Sequence, residues 1–197
     1  MFPAGAGVIA RHVAGPDDGC VAALAGRRID PRGAAVVRFP LERRDHVRAQ
    51  LLATLRDRHV RALVTAAACG VDLLGLDAAG ALGVARHVVL PFDRVRFRRT
   101  SVVDRPGDWG PLYDAILREV EAAGSLTELA YGSDDMAFVA ANHAMLDHAA
   151  SIAASLAVPL VAIVAWDGTP RDAVDVTLAF RNEAQRRGLT VVELSTR

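Results

Sequence analysis

The stretch Leu63-Val64-Thr65-Ala66-Ala67-Ala68-Cys69-Gly70-Val71-Asp72 changes character as it runs. Apolar and β-branched side chains give way to alanines and then to Cys69-Gly70, after which an Ala- and Leu-rich run continues to Leu82. The pattern predicts a strand over 62–65, a turn through Cys69-Gly70 and a helix over 72–82. Small side chains let a backbone approach a ligand closely, and Gly70 permits positive φ. The helix that follows presents unpaired N–H groups and a positive dipole end, a ready site for a phosphate. A tight strand-to-helix turn with Asp72 as N-cap accounts for the same residues without any ligand. Both readings stand at this level.

Outward from this unit the alternation repeats. Strands are expected over 20–25, 87–90, 126–130, 159–165 and 190–194, and helices over 41–58, 112–122, 134–156 and 173–187. In the first of these helices Val47, Leu51, Leu52 and Leu55 follow the 3.6-residue period. The Gly132-Ser133-Asp134-Asp135 step resembles a helix N-cap followed by acids. Residues 92–111 carry several arginines and two prolines, Pro106 and Pro111, and are read as a long loop. Such alternation specifies an α/β fold, a Rossmann-like three-layer sandwich with a mostly parallel sheet. One domain is expected over 19–197, with 1–18 as a loosely attached N-terminal segment. Ligands of such sheets bind outside the carboxyl ends of the strands, which selects the segments 26–30, 66–72, 92–99, 131–135 and 166–170.

Composition narrows the chemistry. The chain has 197 residues, and its 23 basic side chains, all arginine, balance 23 acidic ones. Without lysine there is neither a Walker P-loop nor Schiff-base catalysis. Zero net charge argues against a nucleic-acid track, which needs a basic surplus. The longest apolar runs fall short of the ~20 residues of a spanning helix, so no membrane association is expected. Cys20 and Cys69 are the only cysteines and supply no disulfide framework. The first residues lack the basic start and apolar core of a signal peptide, and a cytoplasmic location is expected. Gly5-Ala6-Gly7-Val8-Ile9-Ala10 fits a dinucleotide fingerprint in letters, yet only four residues precede it where a strand is required. Arg94, Arg96, Arg98 and Arg99 form a basic cluster, either a clamp on phosphate oxygens or a solvated loop. His143 and His148 are five apart, not the four that places two ligands on one helix face. No metal or cofactor site is expected. Cys69 sits by a helix N-terminus, where a thiol pKa can fall, but no histidine is near in sequence to serve as its base.

The second-strand unit, with Leu76-Asp77-Ala78-Ala79-Gly80-Ala81-Leu82 and Val88-Val89-Leu90-Pro91-Phe92, resembles the SLOG superfamily. That group unites Smf-type DNA-processing proteins and Lonely Guy phosphoribohydrolases. The chain is most similar to the SLOG-like domain of bacterial signalling proteins. There a Gly-His-Met-Ile-Asp-like element and Arg-Phe-Pro stand where this sequence has Gly26-Arg27-Arg28-Ile29-Asp30 and Arg38-Phe39-Pro40. Phe97, Ser101-Val102, Trp109, Asn142, Met145-Leu146 and Trp166-Asp167-Gly168 extend the likeness over about 20–195. The resemblance implies binding or sensing of a nucleotide or nucleotide derivative at the carboxyl edge. Its ligand-facing positions are Gly26, Arg28, Asp30, Ala67, Cys69, Gly70, Asp72, Asn142 and Asp167, to which the basic cluster adds Arg98. It further implies a cyclase, repeat protein or effector as partner, and pairing of two copies through the apolar helix around 137–157. The Pro-Gly-Gly-x-Gly-Thr-x-x-Glu of the Lonely Guy enzymes is replaced by Tyr131-Gly132-Ser133-Asp134-Asp135-Met136, and the histidine of the first motif by Arg27. Both departures favour binding over catalysis. The alternative is a hydrolase of nucleotide N-glycosidic bonds with Asp30, Asp72 or Asp134 as acid/base, and a third reading is single-stranded DNA binding.

Overall fold

The computed structural model describes residues 19–132, 135–171 and 174–197. The N-terminal segment, its glycine pattern and the expected cap at Ser133-Asp134 lie outside the described residues. Six strands form one parallel sheet: β1 (Cys20–Gly26), β2 (Val60–Thr65), β3 (Ala85–Leu90), β4 (Leu126–Glu128), β5 (Leu160–Trp166) and β6 (Thr190–Ser195). Their order is β4-β3-β2-β1-β5-β6. The chain therefore builds outward from β1 on one side, then crosses back to lay β5 on the other. In register, Ala22 of β1 stands opposite Leu63 of β2 and Val161 of β5.

Helices cover both faces. A 3₁₀ turn (Leu41–Arg43) leads into α1 (Arg44–Asp57), which with α2 (Val71–Ala81) and α4 (Gly110–Ala122) packs on one face. The returning α5 (Asp135–Leu156) and α6 (Val176–Arg186) pack on the other. Right-handed crossovers in opposite directions along the sheet require this split. It explains the unbroken apolar reading of the central strands. Cys20, Ala22 and Leu24 enter the core under α1 and α2, whereas Val21, Ala23 and Ala25 enter the core under α5 and α6. On α4, Tyr113, Ile116, Leu117 and Val120 recur at helical spacing and are buried. This is the Rossmann-like three-layer α/β sandwich the alternation specified. Among the described residues no helix is long and apolar enough to cross a membrane.

The long-loop reading of 92–111 is corrected. Arg94–Ser101 form a helix, α3. Its period was invisible because its core anchor is Phe97, one side chain among charged neighbours. The Asp93 carboxylate caps it, accepting from Arg96 N at 2.9 Å. The N-cap reading of Asp72 also shifts. Helix α2 starts at Val71 with Gly70 at its cap, and Asp72 sits in the first turn. Likewise α6 begins at Val176, capped by Asp175 accepting from Leu178 N at 3.0 Å.

Candidate ligand-binding site

Strand order reverses between β1 and β5, so the segments leaving them diverge above the sheet edge and open a crevice. A cavity of about 280 Å³ lies there. The end of β1 contributes Ala25, Gly26, Arg27 and Arg28, and the turn after β2 contributes Ala66, Ala68 and Asp72. Pro91 follows β3, and Phe97 and Ser101 come from α3. One stripe of α5, Phe138, Ala141, Asn142 and Met145, closes a side at helical spacing. The segment after β5 supplies Arg171, Val174, Asp175, Val176 and Thr177. Aromatic and aliphatic groups thus come from two helices, and most charged groups from the exits of β1 and β5.

The turn after β2 is packed against protein. Gly70 holds φ 106°, and a Cβ there would stand 2.6 Å from the Arg27 carbonyl oxygen and 2.9 Å from Ile29 N. This close approach carries the Arg28–Gly70 bridge that seats the β1 loop on α2. Two N–H groups at the start of α2 are taken by carbonyls: Val71 N donates to Arg27 O at 3.1 Å, and Leu73 N to Ala68 O at 3.3 Å. Cys69 N donates to Ser101 O at 3.0 Å. Ala67 and Cys69 are wholly buried and do not line the cavity. Burial pushes the Cys69 thiol up, against the lowering influence of Arg28. The turn after β2 thus joins the loop after β1 to the end of α3.

Asp72 faces the cavity with little contact with water. Burial raises its carboxyl to about 7 and outweighs the Ala68 N–H, the Thr65 hydroxyl and the charge of Arg28, all of which lower it. Gly26 lines the site and has no room for a side chain, since a Cβ would meet Ala165 O and Val71 Cγ1, each at 2.5 Å. Asn142 also lines it and donates through Nδ2 to Val176 O at 2.9 Å, tying α5 to α6.

Asp30, Asp167 and Arg98 lie outside the lining. The Asp30 carboxylate accepts from Arg38 N and Phe39 N, both at 2.8 Å, and closes the loop after β1. Arg98 forks onto Asp114 of α4 at 2.8 and 2.9 Å. Its neighbour Arg94 pairs with Glu121 at 2.8 Å and Glu128 at 2.6 Å, and Arg96 lies over the Phe92 ring. The Asp167 side chain is fully buried and holds Arg27 Nε at 2.9 Å and Arg38 Nη1 at 2.8 Å. Burial pushes the Asp167 carboxyl up, but the Thr169 hydroxyl and Arg27 overcome it and bring the group to about 2.

Arg27 is the residue that sequence reasoning treated only as a lost histidine. Its side chain is 1% exposed, yet it lines the cavity and binds Asp167, Asp175 (Nη1, 2.7 Å) and the Thr169 carbonyl. A buried guanidinium needs such full pairing. It therefore welds the β1 exit to the β5 exit on both sides of the crevice. Asp175 and Arg171 escaped notice because the start of α6 was set too early. Phe138 belongs to no motif that the sequence offers. Among the described residues no cluster of His, Cys, Asp and Glu could hold a metal ion.

No protein-family model matches the chain, and no curated protein matches it. Among solved structures it is similar to DNA processing protein A from Streptococcus pneumoniae, at 14% identity and a TM-score of 0.38. The alignment covers 89% of this chain and 59% of that one, so the chain spans a little over half the length of that neighbour. At these values the likeness adds nothing to the topology read from the sheet itself.

Proposed function

We propose that this chain is a SLOG-like sensing domain that binds a mononucleotide or nucleotide derivative in the crevice between β1 and β5, without chemistry of its own. The observation that carries the proposal is the cavity's two-sided lining at the strand-order reversal. Phe97, Phe138 and Met145 offer an apolar surface for a base, and Arg28 and Arg171 offer forked donors for an anionic group. Its volume of about 280 Å³ lies at the small end of ligand pockets, which begin near ~300 Å³. That size suits one nucleotide rather than a dinucleotide. The same edge carries the exposed Val95, Val103, Tyr131 and Val174, where a cyclase, repeat protein or effector would meet the bound ligand. Titration calorimetry against nucleoside monophosphates, cyclic nucleotides and NAD derivatives tests the proposal. Heat and a thermal shift with a mononucleotide are expected, and neither with any member of the panel would overturn it.

One observation favours hydrolysis of an N-glycosidic bond as a second reading. Asp72 is a cavity carboxyl whose pKa of about 7 suits a general acid or base. Incubation with the same panel, followed by chromatography for free base, separates the readings. Released base that disappears in Asp72→Asn would establish the second, and unchanged nucleotide removes it.

A further inference from the structure

The guanidinium groups of Arg27, Arg28, Arg105 and Arg171 are unequally served, and all but Arg105 line the cavity. Arg27 is fully paired by Asp167, Asp175 and the Thr169 carbonyl. Arg28 and Arg105 share one carboxylate, Asp104: Arg28 Nη2 donates to its Oδ1, and Arg105 Nε lies 3.4 Å from its Oδ2. The Nε atoms of both arginines are shut away from solvent without a hydrogen-bond acceptor. Arg171 lines the cavity, and only its backbone N–H, donated to Asp175, is engaged among the described residues. Its side chain lies within electrostatic reach of three other guanidinium groups. Burial, then the charges of Arg27, Arg105 and Arg28, lower its pKa against the pull of Asp175.

Three cations therefore meet where the exit of β1, the loop after α3 and the exit of β5 converge, and among the described residues Asp104 is the one carboxylate that pairs with any of their side chains. A carboxylate brings one charge and two oxygens. A phosphate monoester brings about two charges and three strong acceptor oxygens, and guanidinium forks match its geometry. We infer that Arg28, Arg105 and Arg171 form a phosphate subsite, and that Asp104 occupies it as an internal stand-in which a ligand phosphate displaces. The inference rests on the nucleotide reading for the rest of the ligand. It moves the phosphate away from the start of α2, where protein carbonyls already take the Val71 and Leu73 N–H groups.

The test titrates the full chain with adenosine, guanosine, cytidine and uridine 5′-monophosphates, the parent nucleosides, and inorganic phosphate. Wild type is compared with Arg28→Gln, Arg171→Gln and Asp104→Asn, each checked for an unchanged circular dichroism spectrum. Arg28→Gln and Arg171→Gln should each weaken the best monophosphate about tenfold, as loss of a charge-assisted bond does, and leave its nucleoside unaffected. Asp104→Asn should tighten both the monophosphate and inorganic phosphate by removing the competing anion. Wild-type affinity for the monophosphate in both arginine variants would overturn the subsite while leaving nucleotide binding intact. Weaker phosphate binding in Asp104→Asn would overturn the stand-in. Arginine-dependent binding of phosphate with no nucleotide preferred over phosphate would uphold the subsite and overturn the nucleotide reading. No binding of any probe would overturn both.

Discussion

Replacing Asp72 by asparagine should stabilise the protein, increasingly so as pH rises above ~4. The carboxyl moves from an ordinary 3.8 to about 7 on folding because burial disfavours its charged form. Between those values the folded state holds a proton that the unfolded state has lost, so stability falls as pH rises through the interval. At ~1.36 kcal/mol per pH unit, the charged side chain opposes folding by about 4 kcal/mol once pH exceeds about 8. That is a large share of a typical domain's ~5–15 kcal/mol. Asparagine has nearly the same shape and retains an oxygen for the Ala68 N–H, which now donates to Asp72 at 3.2 Å. Urea unfolding followed by the fluorescence of the buried Trp109 and Trp166 gives stability at each pH for both proteins. Subtraction cancels the other titrating groups, including Asp167, whose lowered pKa acts in the opposite direction. The difference should be near zero at pH ~4, climb through pH ~5–7 and level near ~4 kcal/mol. A flat difference, or destabilisation by asparagine that grows with pH, would show that burial does not raise the Asp72 carboxyl.

Other substitutions probe the frame of the cavity. Gly70→Ala would place a Cβ 2.6 Å from the Arg27 carbonyl oxygen at a residue with φ 106°, and should cost at least ~2 kcal/mol by urea unfolding. Arg27→Leu leaves the buried Asp167 and Asp175 without their shared cation; a loss of about 3–5 kcal/mol is expected, and a smaller effect than Arg98→Leu would show that the weld is unimportant. Cys20 and Cys69 are buried with raised pKa values, so a thiol reagent should find neither in the native protein and both in denaturant. Rapid native labelling of Cys69 would contradict its packing.

The fold was legible because central strands buried on both faces leave unbroken apolar runs, as in Val161–Ala165, and helices such as α1 repeat at 3.6 residues. Helix α3 was not, since a short helix whose only buried apolar side chain is Phe97 carries no period. The site was legible as a region: strand direction placed it at the carboxyl edge, and Gly26, Arg28, Asp72 and Asn142 all line the cavity. Other expected positions shape it from behind. Cys69 and Ala67 are buried in the turn, Asp30 closes a loop, and Asp167 anchors Arg27. A single sequence cannot separate these groups, because a glycine needed for close packing and one needed for a ligand read alike. The pairing of Arg27 with residues about 140 positions away depends on the return of α5 across the sheet, which no local pattern contains.

The central claim is that a mononucleotide occupies the crevice between β1 and β5. Amide chemical-shift mapping with the four nucleoside 5′-monophosphates tests it most directly. Saturable shifts are expected, confined to the exits of β1 and β5, the turn after β2, and the 138–145 stripe of α5. Shifts clustered at the amino-terminal edge of the sheet, or none at saturating nucleotide, would contradict it.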